Sequence, residues 1–224
     1  IKSLLRSYAE YMIRGYLITI SSDSAFSSTK EAVEYIGSTM LEYVNESMLY
    51  FYTFNNDFVS FNEALKDPVN VVSTGWWALG NGIASMLQSD ALIVDFSTRC
   101  TELIPIKDGA IAVPPMTDHE RIEKDFLLFN GMLETNVAFI RPKLEINGKT
   151  YNLPYHYHAN MADIFLITND ITPPTYIIDS PDKGPKTVEG ALNRLRKTLC
   201  IPHEIDKDFL TSVAEKIKNY ALND

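Results

Sequence analysis

The sequence predicts an α+β fold, and three observations predict it. Apolar residues at helical spacing dominate both ends of the chain. A helix–strand–helix succession occupies its middle, and short β-prone segments split by turn residues fill the stretch from Val137 to Pro181. With 224 residues, 46% hydrophobic and 22% charged, the chain is long enough to bury the core of one large domain or one and a half.

Leu4, Leu5, Tyr8, Met12 and Ile13 recur three and four apart, which predicts an amphipathic helix over 2–14. Ser28-Thr29-Lys30-Glu31 has the form of a capping box and opens a second helix with Val33, Ile36, Met40 and Val44 on one face. The small residues of 21–28 form the loop between them. Leu49 to Phe54 and Phe58 to Phe61, joined by Asn55-Asn56-Asp57, read as a hairpin. Asp67-Pro68 breaks the chain and sets a boundary, which makes 1–68 a helical N-terminal extension carrying that hairpin.

A buried helix follows, with Trp76, Leu79, Ile83 and Met86 on its apolar face and Ser73 or Thr74 as N-cap. Ala91 to Phe96 is a strand, and an irregular segment runs from it to Pro114-Pro115. Thr117-Asp118-His119-Glu120 is a capping box whose helix continues through Ile122, Phe126, Phe129 and Leu133. Val137 to Ile140 and Leu144 to Ile146 are short strands, with Asn147-Gly148 a hairpin turn. The apolar run Ala162 to Thr168 and the segment Tyr176 to Pro181 read as two further strands, the second ending on Asp179. Helices over 187–199 and 206–222 close the chain. The core then spans 69–200, and 201–224 is a C-terminal helix.

The formal net charge is −9, whereas a nucleic-acid surface needs clustered Lys and Arg. The densest basic group, Arg194, Arg196 and Lys197 with Lys183 and Lys186 nearby, reads as a solvated helix face. No run of eighteen apolar residues occurs, so the sequence offers no membrane-spanning helix. Cys100 and Cys200 form no CxxC pair and read as separate, reduced thiols in a cytoplasmic protein. Ile1 in place of Met reads as a trimmed start, and the first residues lack the form of a signal peptide.

The expected strand layout brings His158 and Asp179 to one sheet end, as a hydrolase or acyltransferase with a nucleophile, a His and an acid requires. Gly75-Trp76-Trp77-Ala78-Leu79 resembles the helix opening of the papain-like fold, with Trp76 where the nucleophilic Cys would stand. The segments Asn136 to Ile140, Leu153-Pro154-Tyr155, Ile164 to Asp170 and Tyr176 to Pro181 resemble the bacteriocin-processing-peptidase-like group. That group includes the N-terminal domain family of butirosin biosynthesis. The resemblance covers roughly residues 73–200. It implies a helix packed on an antiparallel sheet and acyl or peptidyl transfer from a carrier-protein thioester, or peptide cleavage. His158 and Asp179 would be its catalytic pair, with Trp76, Trp77 and Tyr155 lining the cleft. An acyl-carrier protein or a peptide is the implied partner, and no cofactor is implied. With Trp76 at the nucleophile position the domain would act by binding in the biosynthesis of a peptide-like metabolite.

Other readings stand beside this one. Ser73 or Thr74 would supply a nucleophile for His158 in a live enzyme, or the chain is an acidic binding or immunity-type protein that neutralises a basic partner. His156 and His158, two apart on an extended segment, face the same way and would hold a metal with Asp163 or Asp179, or are simply solvated. Arg99 beside Cys100 favours a thiolate, yet Cys100 opens no helix and reads as structural. Trp76-Trp77 reads equally well as a core anchor.

Overall fold

The computed structural model of the chain describes residues 13, 15–87, 89–146, 148–202 and 206–223. The helix expected over 2–14 lies outside the described residues except for Ile13. The fold is mixed α+β and divides into two compact units, one of Ile1–Val94 with Glu102–Leu127, the other of Asp95–Thr101 with Leu128–Asp224. Pro68 therefore lies inside the first unit, and the C-terminal helix belongs to the second.

In the first unit, β1 (Tyr16–Ile18) pairs in parallel with β2 (Leu49–Tyr52), and β2 pairs antiparallel with β3 (Phe58–Ser60). The β2–β3 hairpin is the one expected, and Asn56 in its turn takes φ 63°. Helix α1 (Thr29–Leu41) starts at Ser28, whose side chain accepts from the Glu31 amide. Glu31 reaches back to the Ser27 amide at 2.9 Å rather than to Ser28. Its apolar face, Val33 and Met40, packs with Leu49, Phe51 and Val71. The short helix α2 (Phe61–Ala64) follows, opened by a Ser60–Glu63 capping box.

Helix α3 (Gly75–Ala84) buries Trp76, Trp77, Gly80 and Ala84. Leu79 and Met86, expected inside, are exposed. The reason is Gly80: a Cβ there would come within 2.6 Å of Ile111 and 2.9 Å of Ile104, so glycine lets the helix press against its neighbours. β4 (Ala91–Phe96) is the expected strand; where an irregular segment was expected after it, β5 (Thr101–Lys107) and β6 (Ala110–Ile111) follow it in that order in a sheet, and β7 (Leu127–Leu128), in a stretch expected to be helical, pairs with β5.

The capping box at Thr117 forms as expected and starts α4 (Asp118–Glu123). That helix stops ten residues short of its expected end at Leu133. Asp125 takes φ 58°, and the Phe126 and Asp125 amides donate back to the Arg121 and Ile122 carbonyls, which terminates the helix in a left-handed cap.

In the second unit, α5 (Val137–Ile140) replaces an expected strand, with Asn136 accepting from the Ala138 amide. The expected hairpin is present as β8 (Lys143–Ile146) and β9 (Lys149–Asn152), paired antiparallel from Ile146↔Lys149 and joined through Gly148 at φ 74°. The expected strand over Ala162 to Thr168 is instead α6 (Met161–Ile167). A capping box sets it: Asn160 accepts from the Asp163 amide, and the Asp163 carboxylate accepts from the Asn160 amide. Asn169, at φ 62°, ends it. The expected strand over Tyr176 to Pro181 is absent too; that stretch follows a single 3-10 turn, Pro173–Thr175, and carries no regular structure.

Helices α7 (Val188–Thr198) and α8 (Lys207–Asn223) match the expected pair. Together with α6 and the β8–β9 hairpin they enclose a core of Leu144, Ile164, Leu195, Leu210, Val213 and Ile217. Arg194 on α7, 1% exposed, clamps Asp163 on α6, 0% exposed, through Nε at 2.9 and 3.0 Å and Nη2 at 2.6 Å. Its Nη1 reaches Asp182 and the Pro185 carbonyl, both at 3.2 Å. The Tyr176 hydroxyl donates to Asp163 and Asn160, each at 3.0 Å. Burial pushes the Tyr176 hydroxyl well above its ordinary pKa, and the Asp163 charge adds to that. The irregular segment thus hangs on polar bonds to α6 and α7, which explains why it needs no sheet. The basic cluster expected to be solvated includes one arginine that serves as an internal tie.

Candidate functional site

The site is built on a turn. Ser97 to Cys100 connects β4 to β5, and the Ser97 hydroxyl organises it by accepting from the Arg99 amide at 3.3 Å and the Cys100 amide at 3.0 Å while donating to the Cys100 carbonyl. The segment 131–134 holds this turn from one side. Gly131 donates to the Arg99 carbonyl, Met132 to Ser97, and Leu133 and Glu134 both to Thr98, over 2.8–3.1 Å. So close an approach requires glycine: a Cβ on Gly131 would lie 2.2 Å from the Arg99 carbonyl carbon and 2.4 Å from the Arg99 and Cys100 nitrogens.

This packing sets Arg99 and Glu134 into one groove of about 510 Å³, completed by Phe129, Thr135, Asn136, Phe139, Tyr155 and Tyr157. The Arg99 guanidinium lies 5.5 Å from the centre of the Phe129 ring. Thr98 holds Glu134 at both ends, its carbonyl accepting from the Glu134 amide and its hydroxyl donating to the carboxylate at 3.3 Å. The Phe139 and Tyr155 rings are 6.3 Å apart. Phe129, Phe139, Tyr155 and Tyr157 are all exposed large aromatics, with Phe139 67% and Tyr155 71% accessible. Four such rings around one cation and one anion on a single face make a surface suited to a flat, charged ligand.

No family model matches the chain. It is 33% identical to the (4-{4-[2-(gamma-L-glutamylamino)ethyl]phenoxymethyl}furan-2-yl)methanamine synthase of Methanocaldococcus jannaschii over 224 residues, 99% of this chain and 67% of that protein. The chain belongs to this synthase family. It is also 32% identical to the synthase of the same name from Methanococcus vannielii over 118 residues, 53% of each chain. The furan-2-ylmethanamine synthases it resembles are biosynthetic enzymes by name, which agrees with the expected role in metabolite biosynthesis.

The residues singled out from sequence are scattered in this synthase-family chain. Trp76 and Trp77 lie in the core of the first unit, ring centres 5.2 Å apart, with the Arg121 guanidinium 4.7 Å above Trp76. Ser73 and Thr74 are buried beside them, and the Thr74 hydroxyl donates to the Val71 carbonyl. Tyr155 lines the groove of the second unit. His158 and His156 stack on one another, ring centres 5.4 Å apart, and neither is among the residues that line the groove. Asp179 is exposed on the irregular segment, and among the described residues no hydrogen bond or ion pair joins it to His158. The two strands that were to bring that pair to one sheet end are not formed.

Among the described residues no group of three or more His, Cys, Asp or Glu is placed to hold a metal ion, so the histidine pair lacks the further ligands that a metal site would need. Cys100 and Cys200 are both free thiols. Among the described residues no helix is long and apolar enough to cross a membrane.

Sequence reasoning missed Arg99, Glu134, Phe129, Phe139 and Tyr157 as groove residues. The available signal was the Ser97-Thr98-Arg99-Cys100 turn directly after a strand, paired with a glycine at 131.

Proposed function

We propose that this chain is the part of a furan-2-ylmethanamine synthase that holds ring-bearing pieces of the product, and that they bind in the groove around Glu134 and Arg99. The observation that carries this is the grouping of four exposed aromatic rings about one carboxylate and one guanidinium. The product named for the relatives has a furan ring and a phenyl ring joined by an ether, a methanamine, and a γ-glutamyl group. At neutral pH it carries two ammonium groups and one carboxylate.

Each feature has a counterpart in the groove. A ligand ring stacks on Phe139 and the two tyrosines. An ammonium sits beside Glu134, already oriented by Thr98, and over an aromatic face. A carboxylate meets the fork of Arg99. Joining two rings through an ether needs both held with the reacting atoms about 3–3.5 Å apart, and a groove of this volume falls in the range that takes ligands of that size. A chain of net charge −9 also favours a ligand with excess positive charge.

The test is calorimetric titration of the chain with 4-(phenoxymethyl)furfurylamine, the ring–ether–amine portion of that product. Saturable binding is expected, weakened about 2–5-fold in Glu134→Gln, as loss of a half-exposed charge pair implies. Absence of binding to the wild-type chain, or equal binding by Glu134→Gln, sinks the proposal.

A further inference from the structure

A second cavity of the same unit has a different chemistry. It measures about 320 Å³ and is lined chiefly by Phe96, Met132, Ile140, Met161, Phe165 and Leu222, with Asn130 and Thr135 supplying its polar atoms. No charged side chain lines it. Thr135 lines both this pocket and the aromatic groove, so the two sites share a wall in the segment that holds the Ser97–Cys100 turn. The pocket is open to solvent along a rim of Phe96, Met132 and Leu222, all exposed, while Met161 at its floor is buried.

We propose that this pocket is a second subsite, which takes the uncharged ring of a 4-alkylphenol, while the groove takes the ammonium-bearing furan. The inference rests on the function proposed above and divides its ligand between two places. A lining without charge cannot compensate the desolvation of an ammonium or a carboxylate, so whatever enters must be neutral. In the named product the furan ring carries its amine on a single carbon. The phenyl ring is set off from charge by an ether on one side and an ethyl amide on the other, which makes it the neutral part.

The polar edge fits a phenol as well. The Thr135 hydroxyl spends its proton on the Gly131 carbonyl at 2.7 Å, which leaves its oxygen free to accept from a phenolic hydroxyl. Met132 and Met161 provide polarizable sulfur against the ring. The open rim leaves both para substituents a way out, one of them along the shared wall toward Glu134.

The experiment uses the full 224-residue chain labelled with methyl-13C methionine, which reports on seven methionines. Titration with 4-methylphenol is expected to shift the Met132 and Met161 methyls saturably and to leave Met40 and Met116, in the first unit, unmoved. Leu222→Arg, a change at an exposed rim position, should weaken that binding several-fold with the rest of the spectrum unchanged. Furan-2-ylmethanamine should leave Met161 unmoved and bind in a manner that Glu134→Gln weakens. If 4-methylphenol shifts neither Met132 nor Met161, or Leu222→Arg binds it as well as wild type, the pocket assignment is overturned. Should furan-2-ylmethanamine still bind through Glu134, the groove reading survives that loss. If that amine ignores Glu134 as well, the groove reading falls separately.

Discussion

Replacing Gly131 by alanine isolates the contact on which the groove depends. The new Cβ would sit 2.2–2.4 Å from three backbone atoms of Arg99 and Cys100, and a backbone cannot move aside as a side-chain tip can. Relief requires the turn and the 131–134 segment to part. Four amide–carbonyl bonds of 2.8–3.1 Å join them. Losing two, at about 0.5–1.5 kcal/mol each, plus about 1–3 kcal/mol of overpacking strain, gives a destabilisation of roughly 2–6 kcal/mol.

For a unit of roughly 100 residues each kcal/mol moves the midpoint by about 4–8 °C, so the unfolding transition of the second unit should fall by more than about 8 °C. Gly82→Ala is the matched control, since nothing lies within 4 Å of its added Cβ on the exposed side of α3. That change should stabilise by up to about 1 kcal/mol, as a glycine-to-alanine change in a helix interior does. Thermal unfolding followed by circular dichroism reads both, and calorimetry with 4-(phenoxymethyl)furfurylamine reads the groove. A Gly131→Ala chain that melts with wild type and binds with wild-type affinity would refute the reasoning.

Two further outcomes follow from the second unit. Arg194→Ala strips a buried carboxylate of its partner and should cost about 3–5 kcal/mol in chemical unfolding, whereas Lys197→Ala, which removes only the exposed partner of Asp182, should change little. Asp170 is held below the usual carboxylate range by the Thr168 hydroxyl and by the Lys218 ammonium at 3.0 Å. A carboxyl whose folded pKa is depressed adds stability that is present above its unfolded pKa, about 3.9, and lost as pH falls through the folded value. Melting curves from pH 7 to pH 2 should therefore show a shallower acid-side decline in Asp170→Asn than in wild type; identical slopes would remove Asp170 from the account.

Much of the local structure could be read from residue order because local chemistry decides it. The capping box at Thr117, the caps at Ser28 and Thr187, and the turns at Asn56 and Gly148 all act within a few residues. Met161 to Ile167 was misread because a short, nearly all-apolar run has no period to distinguish strand from helix. The deciding signal was the polar pair that opens it, Asn160 and Asp163. The buried face of α3 was misjudged because counting apolar residues gives no weight to Gly80, the position of closest approach.

The site was least legible, for a related reason. Phe129 looked like the inward face of a helix that in fact ends at Glu123, and Phe139 like part of a strand. Arg99 and Glu134 stand 35 positions apart in the chain, and only the bonds from 131–134 to the turn bring them together. Nothing local to either residue announces the other. His158 and Asp179 drew attention because a strand pattern would have aligned them; once those strands are absent, the pattern has no geometry behind it.

The central claim, that the groove of the second unit is where ligand binds, is tested most directly by amide hydrogen exchange with and without 4-(phenoxymethyl)furfurylamine. Slower exchange at the Arg99 and Cys100 amides and at 131–136 is expected, because the ligand would bridge the turn and the segment that holds it, while α1 in the first unit keeps its rates. Protection confined to the first unit, or no protection anywhere at saturating ligand, would contradict it.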